Sequence, residues 1–114
     1  MRTVDLMDQT VTGATTGSTF TFEMPKGNRG VVNFFLSSIN DTNGNVTAQL
    51  EGRLSDRMEF VVVDIDSSGT DVVTLTSTNH TVTAQDIQIY PQMRAKVNAV
   101  NTATSAVVDI KLSN

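Results

Sequence analysis

The chain has no cysteine and no tryptophan among its 114 residues, and only one histidine, one tyrosine and two prolines. Without thiols neither a disulfide nor a thiolate metal site can form, so the fold rests on packing and hydrogen bonds alone. A single histidine excludes the paired-histidine zinc motifs, and one tyrosine with no tryptophan leaves no evident aromatic platform on which sugars or bases could stack. Basic residues are too few to balance the acids. The net charge is -4, which supplies no electrostatic drive toward nucleic acid or an anionic membrane, and neither is expected as a partner. No apolar run approaches the roughly 20 residues of a spanning helix, and the opening MRTVDLMDQT lacks the apolar core of a signal peptide, so the chain reads as soluble.

What is present suits strands. Thr and Val are abundant, and Asn, Ser, Asp and Gly punctuate the chain at intervals of about eight to twelve residues, with no helical period between them. The expectation is an all-β fold, a single antiparallel β-sandwich or jelly-roll-like domain of about eight strands. Residues 18–114 form the sandwich in this reading. Residues 1–17, poor in apolar content after Met7, read as an N-terminal arm or extended segment.

Within the sandwich Phe20, Phe22 and Met24 alternate with Thr19, Thr21 and Glu23 until Pro25 breaks the run. From Gly30 the run VVNFFLSSI is apolar at both parities, as a central strand covered on both faces would be. Asn43-Gly44 suits a tight hairpin turn. Val46, Ala48, Leu50 and Leu54 share one face of the next strand, and Phe60-Val61-Val62-Val63 is again apolar at both parities. The closing stretch has the clearest alternation. Ala95, Val97 and Ala99 oppose Arg94, Lys96 and Asn98, and Val108, Ile110 and Leu112 alternate with Val107, Asp109 and Lys111. Residues 101–105 join these two strands as the loop of an expected antiparallel hairpin.

Chemistry-bearing patterns are sparse. Asp64-Ile65-Asp66-Ser67-Ser68-Gly69 matches the first half of a calcium loop, but the position of the closing bidentate Glu holds Leu75, so Asp64 and Asp66 are a metal hint only and an ordinary turn explains them. His80 falls in a turn with no second histidine or nucleophile elbow, and the carboxylates offer no recognisable pairing, so no catalytic residue and no cofactor are expected. Arg53 and Arg57 flank a Ser-Asp turn, and Arg94 and Lys96 project from one strand face. Together they could form a small basic patch for contact with an acidic protein surface.

Two stretches carry a resemblance. The run VTAQLEGRLSDRMEFVVVD, residues 46–64, resembles a segment of small β-sandwich virion structural proteins of tailed bacteriophages. QIYPQMRAKVNAVNTATSAVVDIKLS, residues 88–113, with its Tyr-Pro-x-Met-Arg entry, is similar to the terminal strands of such proteins. The resemblance implies a non-enzymatic virion component made in the host cytoplasm. It would decorate or cement the capsid exterior, or belong to the tail or neck, binding the major capsid or another virion protein as a homo-oligomer such as a trimer. The alternative is a receptor- or carbohydrate-binding module of a phage tail or fibre.

Overall fold

The computed structural model describes residues 3–22, 29–40, 45–65, 71–100 and 105–113, and none of these is helical. Ten strands follow one another: β1 (Thr3–Val11), β2 (Ala14–Thr16), β3 (Phe20–Thr21), β4 (Arg29–Ile39), β5 (Asn45–Arg53), β6 (Val61–Val62), β7 (Val73–Leu75), β8 (His80–Gln88), β9 (Gln92–Val100) and β10 (Ala106–Ser113). They make two antiparallel sheets. The first runs β1-β10-β4-β8; in the second β9 and β5 are central, β2 and β3 pair with β9, and β6 and β7 pair with β5.

The two short pairs are interrupted single strands. β2 lies opposite residues 96–98 of β9 and β3 opposite residues 92–93, while β6 and β7 occupy successive stretches of β5. Merged in this way, eight strands remain, and the expected number is met. Numbered one to eight along the chain, they stand 1-8-3-6 in one sheet and 2-7-4-5 in the other. This is the jelly-roll arrangement, in which the chain passes back and forth between facing sheets.

The core forms where one parity of each strand faces the opposite sheet. Val32, Phe34, Leu36, Val108, Ile110 and Leu112 come from the first sheet, and Val46, Ala48, Leu50, Leu75, Met93, Ala95 and Val97 from the second; all are buried. β4 is an interior strand, as its sequence implies. Its second parity, Val31, Asn33, Phe35 and Ser37, is half-buried rather than covered, because only one face of the first sheet meets the other sheet.

Several expectations are corrected. β9 and β10 do not pair with each other. β9 lies between β2 and β5 in the second sheet and β10 between β1 and β4 in the first, so the expected hairpin is an arch whose two inner faces look at one another across the core. β4 and β5 are divided between the sheets in the same way. Asn43-Gly44, residues 23–28 and residues 101–104 lie outside the described residues. Leu54 is exposed because β5 ends at Arg53, one residue before the alternation would turn it inward. Val61 and Val62 are exposed on the short edge strand β6, whereas Val63 is buried and continues the ladder through its N–H to the Leu50 carbonyl at 2.9 Å.

Residues 3–16, read from the sequence as part of an arm, are β1 and β2. A bulge between Asp5 and Met7 shifts the register and lets the neighbours Leu6 and Met7 both turn inward. With Val4 and Val11 they bury four side chains against the core. Deleting residues 1–17 should therefore abolish the cooperative thermal unfolding transition followed by circular dichroism, and Leu6→Ala alone should lower stability by about 2–5 kcal/mol in urea titrations. A truncated chain that melts cooperatively at the parent temperature would restore the arm.

Candidate interaction face

The outer positions of β5 and β9 meet in register on the solvent side of the second sheet. Glu51 lies opposite Arg94, Gln49 opposite Lys96, and Arg53 opposite Gln92. Opposite charges at paired positions attract. Arg94 donates from Nε to Glu51 Oε1 at 2.7 Å, Lys96 Nζ stands 4.0 Å from Oε2, and Arg53 Nε donates to Gln92 Oε1 at 2.6 Å.

Glu51 is nevertheless only 7% exposed, unusual for an outer-face carboxylate. Its ladder neighbours, Arg94 on β9 and Val62 on β6, flank it, and a strap of residues 54–60 links β5 to β6. It folds back so that the Phe60 ring lies 3.8 Å from the Arg94 guanidinium carbon and 4.3 Å from that of Arg53. Each such contact contributes about 0.5–2 kcal/mol, more as water is excluded. Arg53 Nη1 also donates to the Met58 carbonyl at 3.4 Å. On the other parity a Cβ at Gly52 would run into the Tyr90 ring, so the absence of a side chain there lets that ring cover the same end of β5.

The strap is thus anchored through its Phe60 ring and Met58 carbonyl to two guanidinium groups, and its turn is displayed. Met58 N–H donates to the Ser55 carbonyl at 3.1 Å and Arg57 N–H to Ser55 Oγ at 3.4 Å. Leu54, Met58, Val61, Val62 and Val72 are between 42% and 60% exposed, and they are all of the exposed large hydrophobic side chains among the described residues. All five fall within residues 54–72. Exposed apolar side chains so concentrated in one stretch of chain differ from the single, scattered exposures of an ordinary surface.

Of the basic residues singled out in the sequence, Arg53, Arg94 and Lys96 come together around Glu51, while Arg57 stands exposed on the strap. Two of them anchor the strap. Asp64 is exposed beyond β6, and Asp66 lies outside the described residues; no group of three or more acidic or histidine side chains comes together among the described residues. His80 accepts a hydrogen bond at Nδ1 from the Thr76 N–H at 3.0 Å, closing the turn before β8. The sequence reading missed Glu51 and Phe60, because alternation places Glu51 on a wet face and nothing local tells that Phe60 returns over Arg94 and Arg53.

Two hollows accompany this face. One of about 450 Å³ is lined by Thr15, Thr47, Gln49, Lys96 and Asn98 on the second sheet. A larger cleft of about 970 Å³ opens at the side of the sandwich between β8 and the β6–β7 edge, with Val62, Val72, Thr83 and Asp86 among its walls. Comparison with family models, curated proteins and solved structures finds no match to the chain.

The outer face of the first sheet is different in character. Lys111 donates to Asp5 and lies 3.4 Å from Asp109. The hydrogen bond to Asp5, chiefly, with the charges of Asp109 and Asp5 outweighs desolvation and holds its ammonium above the ordinary value of 10.5.

Two outcomes follow from these charges. Arg94→Ala leaves Glu51 buried with only Lys96 nearby, so stability should fall by about 2–4 kcal/mol and trypsin should cleave faster at Arg57, while Glu51→Leu combined with Arg94→Met should recover most of the loss. Equal urea midpoints for parent and Arg94→Ala would remove the anchor. Because the Lys111 value is raised on folding, its contribution is complete below the ordinary lysine value and is lost as pH rises through the folded one. Urea midpoints should therefore fall more steeply above about pH 10.5 in the parent than in Lys111→Gln.

Proposed function

We propose that this chain is a non-enzymatic structural protein of a virion that decorates or cements the exterior of a bacteriophage capsid, docking through the anchored strap. The observation that carries the reading is the gathering of Leu54, Met58, Val61 and Val62 on one rigidly held turn and edge, beside the exposed Arg57. Such a surface fits an apolar depression rimmed by carboxylates on a major capsid or other virion subunit. The part requires a stiff body and a contact face, and a modest contact repeated at every symmetry-related position sums to a large gain for the shell. A homo-oligomer such as a trimer would raise that gain further. Jelly rolls are the domains of many viral capsids, and also of lectins and cupins, which supports the reading at the level of fold. The resemblance of residues 46–64 and 88–113 to phage virion proteins supports it independently.

One observation favours a second reading, a receptor- or carbohydrate-binding module of a tail or fibre. The hollow lined by Thr15, Thr47, Gln49 and Asn98 offers hydroxyl and amide groups suited to neutral polyols. Density-gradient sedimentation of the purified chain with capsids of the same phage separates the two. Co-migration at a fixed copy number per shell, lost in a Leu54→Asp/Met58→Asp variant that stays folded, is the expected result. No association with capsids, together with a specific hit on a glycan array, would replace decoration by the second reading.

A further inference from the structure

Among the described residues, positive charge gathers on the outer face of the second sheet. Arg29 lies against Asp86, and Lys111 against Asp5 and Asp109. The paired outer positions of β5 and β9, by contrast, hold Arg53, Arg94 and Lys96 with Glu51 as their one carboxylate. Glu51 is committed to Arg94 at 2.7 Å, whereas Lys96 Nζ stands 4.0 Å from it, beyond hydrogen-bonding distance. The N–H donors of Lys96 are therefore not taken up by Glu51. Lys96 also lines the hollow of about 450 Å³, where its neighbours are neutral. Across the ladders it is flanked by Thr16 on β2 and Gln49 on β5, and Asn98, at the next outer position, is flanked by Ala14 and Thr47. Thr47 Oγ1 donates to the Asn98 carbonyl at 3.5 Å, which leaves its lone pairs to accept. No carboxylate is among the residues that line the hollow.

We propose that this hollow binds a carboxylated pyranose, the class of the uronic and sialic acids, with the sugar carboxylate on Lys96 and its hydroxyls on Thr16, Thr47, Gln49 and Asn98. One ammonium among hydroxyl and amide groups that both donate and accept matches a ligand with a single negative charge and several hydroxyls. A phosphate would call for several converging cations or donors, and a neutral sugar would leave the ammonium without a counter-charge. The volume falls within the range of small-ligand sites. Charge and hydrogen bonds carry the recognition, and the exposed Val72 gives the C–H face of the ring an apolar wall in place of an aromatic platform. The proposal rests on the hollow of the second reading and adds the charge of its ligand. It is separate from docking through the strap, because Leu54, Met58, Val61 and Val62 do not line the hollow.

Two-dimensional NMR titration of the full chain tests this, with glucuronic acid and N-acetylneuraminic acid as probes, glucose as the neutral control, and acetate as charge without hydroxyls. At least one acidic sugar should shift the amide signals of Thr16, Thr47, Lys96 and Asn98 with a Kd of about 1 mM that weakens as salt is added. Glucose and acetate should each bind at least about tenfold more weakly, and the acid that binds identifies the kind of sugar. Lys96→Met should cost the acidic sugar at least about tenfold in affinity while leaving the urea midpoint in place, because Glu51 keeps Arg94. Thr47→Val should weaken acidic and neutral sugars alike. No shift at these residues with either acid at about twenty times the expected Kd, acetate binding as tightly as the acids, or unchanged affinity in Lys96→Met would overturn the proposal. Glucose binding as tightly as the acids would overturn it as well, and would leave the second reading standing with a neutral ligand. Co-sedimentation of Lys96→Met with capsids, measured separately, reports on the strap alone.

Discussion

Each sheet of this sandwich buries one face only, and the rest of the structure depends on that constraint. A strand that puts Val46, Ala48 and Leu50 inward must put Thr47, Gln49 and Glu51 outward, so the residues that build the core also determine what the surface can offer. In a jelly roll the chain crosses between sheets at most connections, and neighbours in sequence become opposite walls of the core. The fold is therefore held by pairings between distant segments, such as Thr3 with Ser113 and Arg29 with Gln88.

Against this background the strap is the departure from the regular pattern. A half-wet face ordinarily leaves its charges solvated, where ion pairs contribute little. Here Glu51 is buried between Arg94 and Val62, and the Phe60 ring of the strap stacks on Arg94 and Arg53 beside the outer-face salt bridge. The two arginines thereby hold a turn whose apolar residues face solvent. In the docking that we propose, a turn held in this way would lose less entropy on contact with a partner than a free loop would.

Much of the fold was legible in the sequence. The all-β class, the eight merged strands and the inward parity of Ala95, Val97, Val108, Ile110 and Leu112 all follow from period-two alternation, because burial of one face acts on every strand alone. What alternation does not encode is which strand lies beside which. β9 and β10 therefore read as a hairpin although they belong to different sheets, and residues 1–17 read as an arm or extended segment because they are poor in apolar residues after Met7, although β1 buries Val4, Leu6, Met7 and Val11. At the interaction face Arg53, Arg57, Arg94 and Lys96 were visible as a basic group, since charge is local information. Glu51 and Phe60 were not, because their meeting depends on a tertiary fold-back.

The position of β10 between β1 and β4 has a consequence for how the chain acquires its structure. The first sheet cannot be completed from the amino-terminal side inward, because the strand that bridges its two halves comes after all the others in the chain. Until β10 arrives, β1 and β4 have apolar faces and unpaired edges but nothing to join them. Assembly is then a late and concerted event with a large loop-closure entropy, placing this chain among the slow, high-contact-order folders of milliseconds to seconds. Nascent chains would remain open to chaperones until residues 106–113 are available.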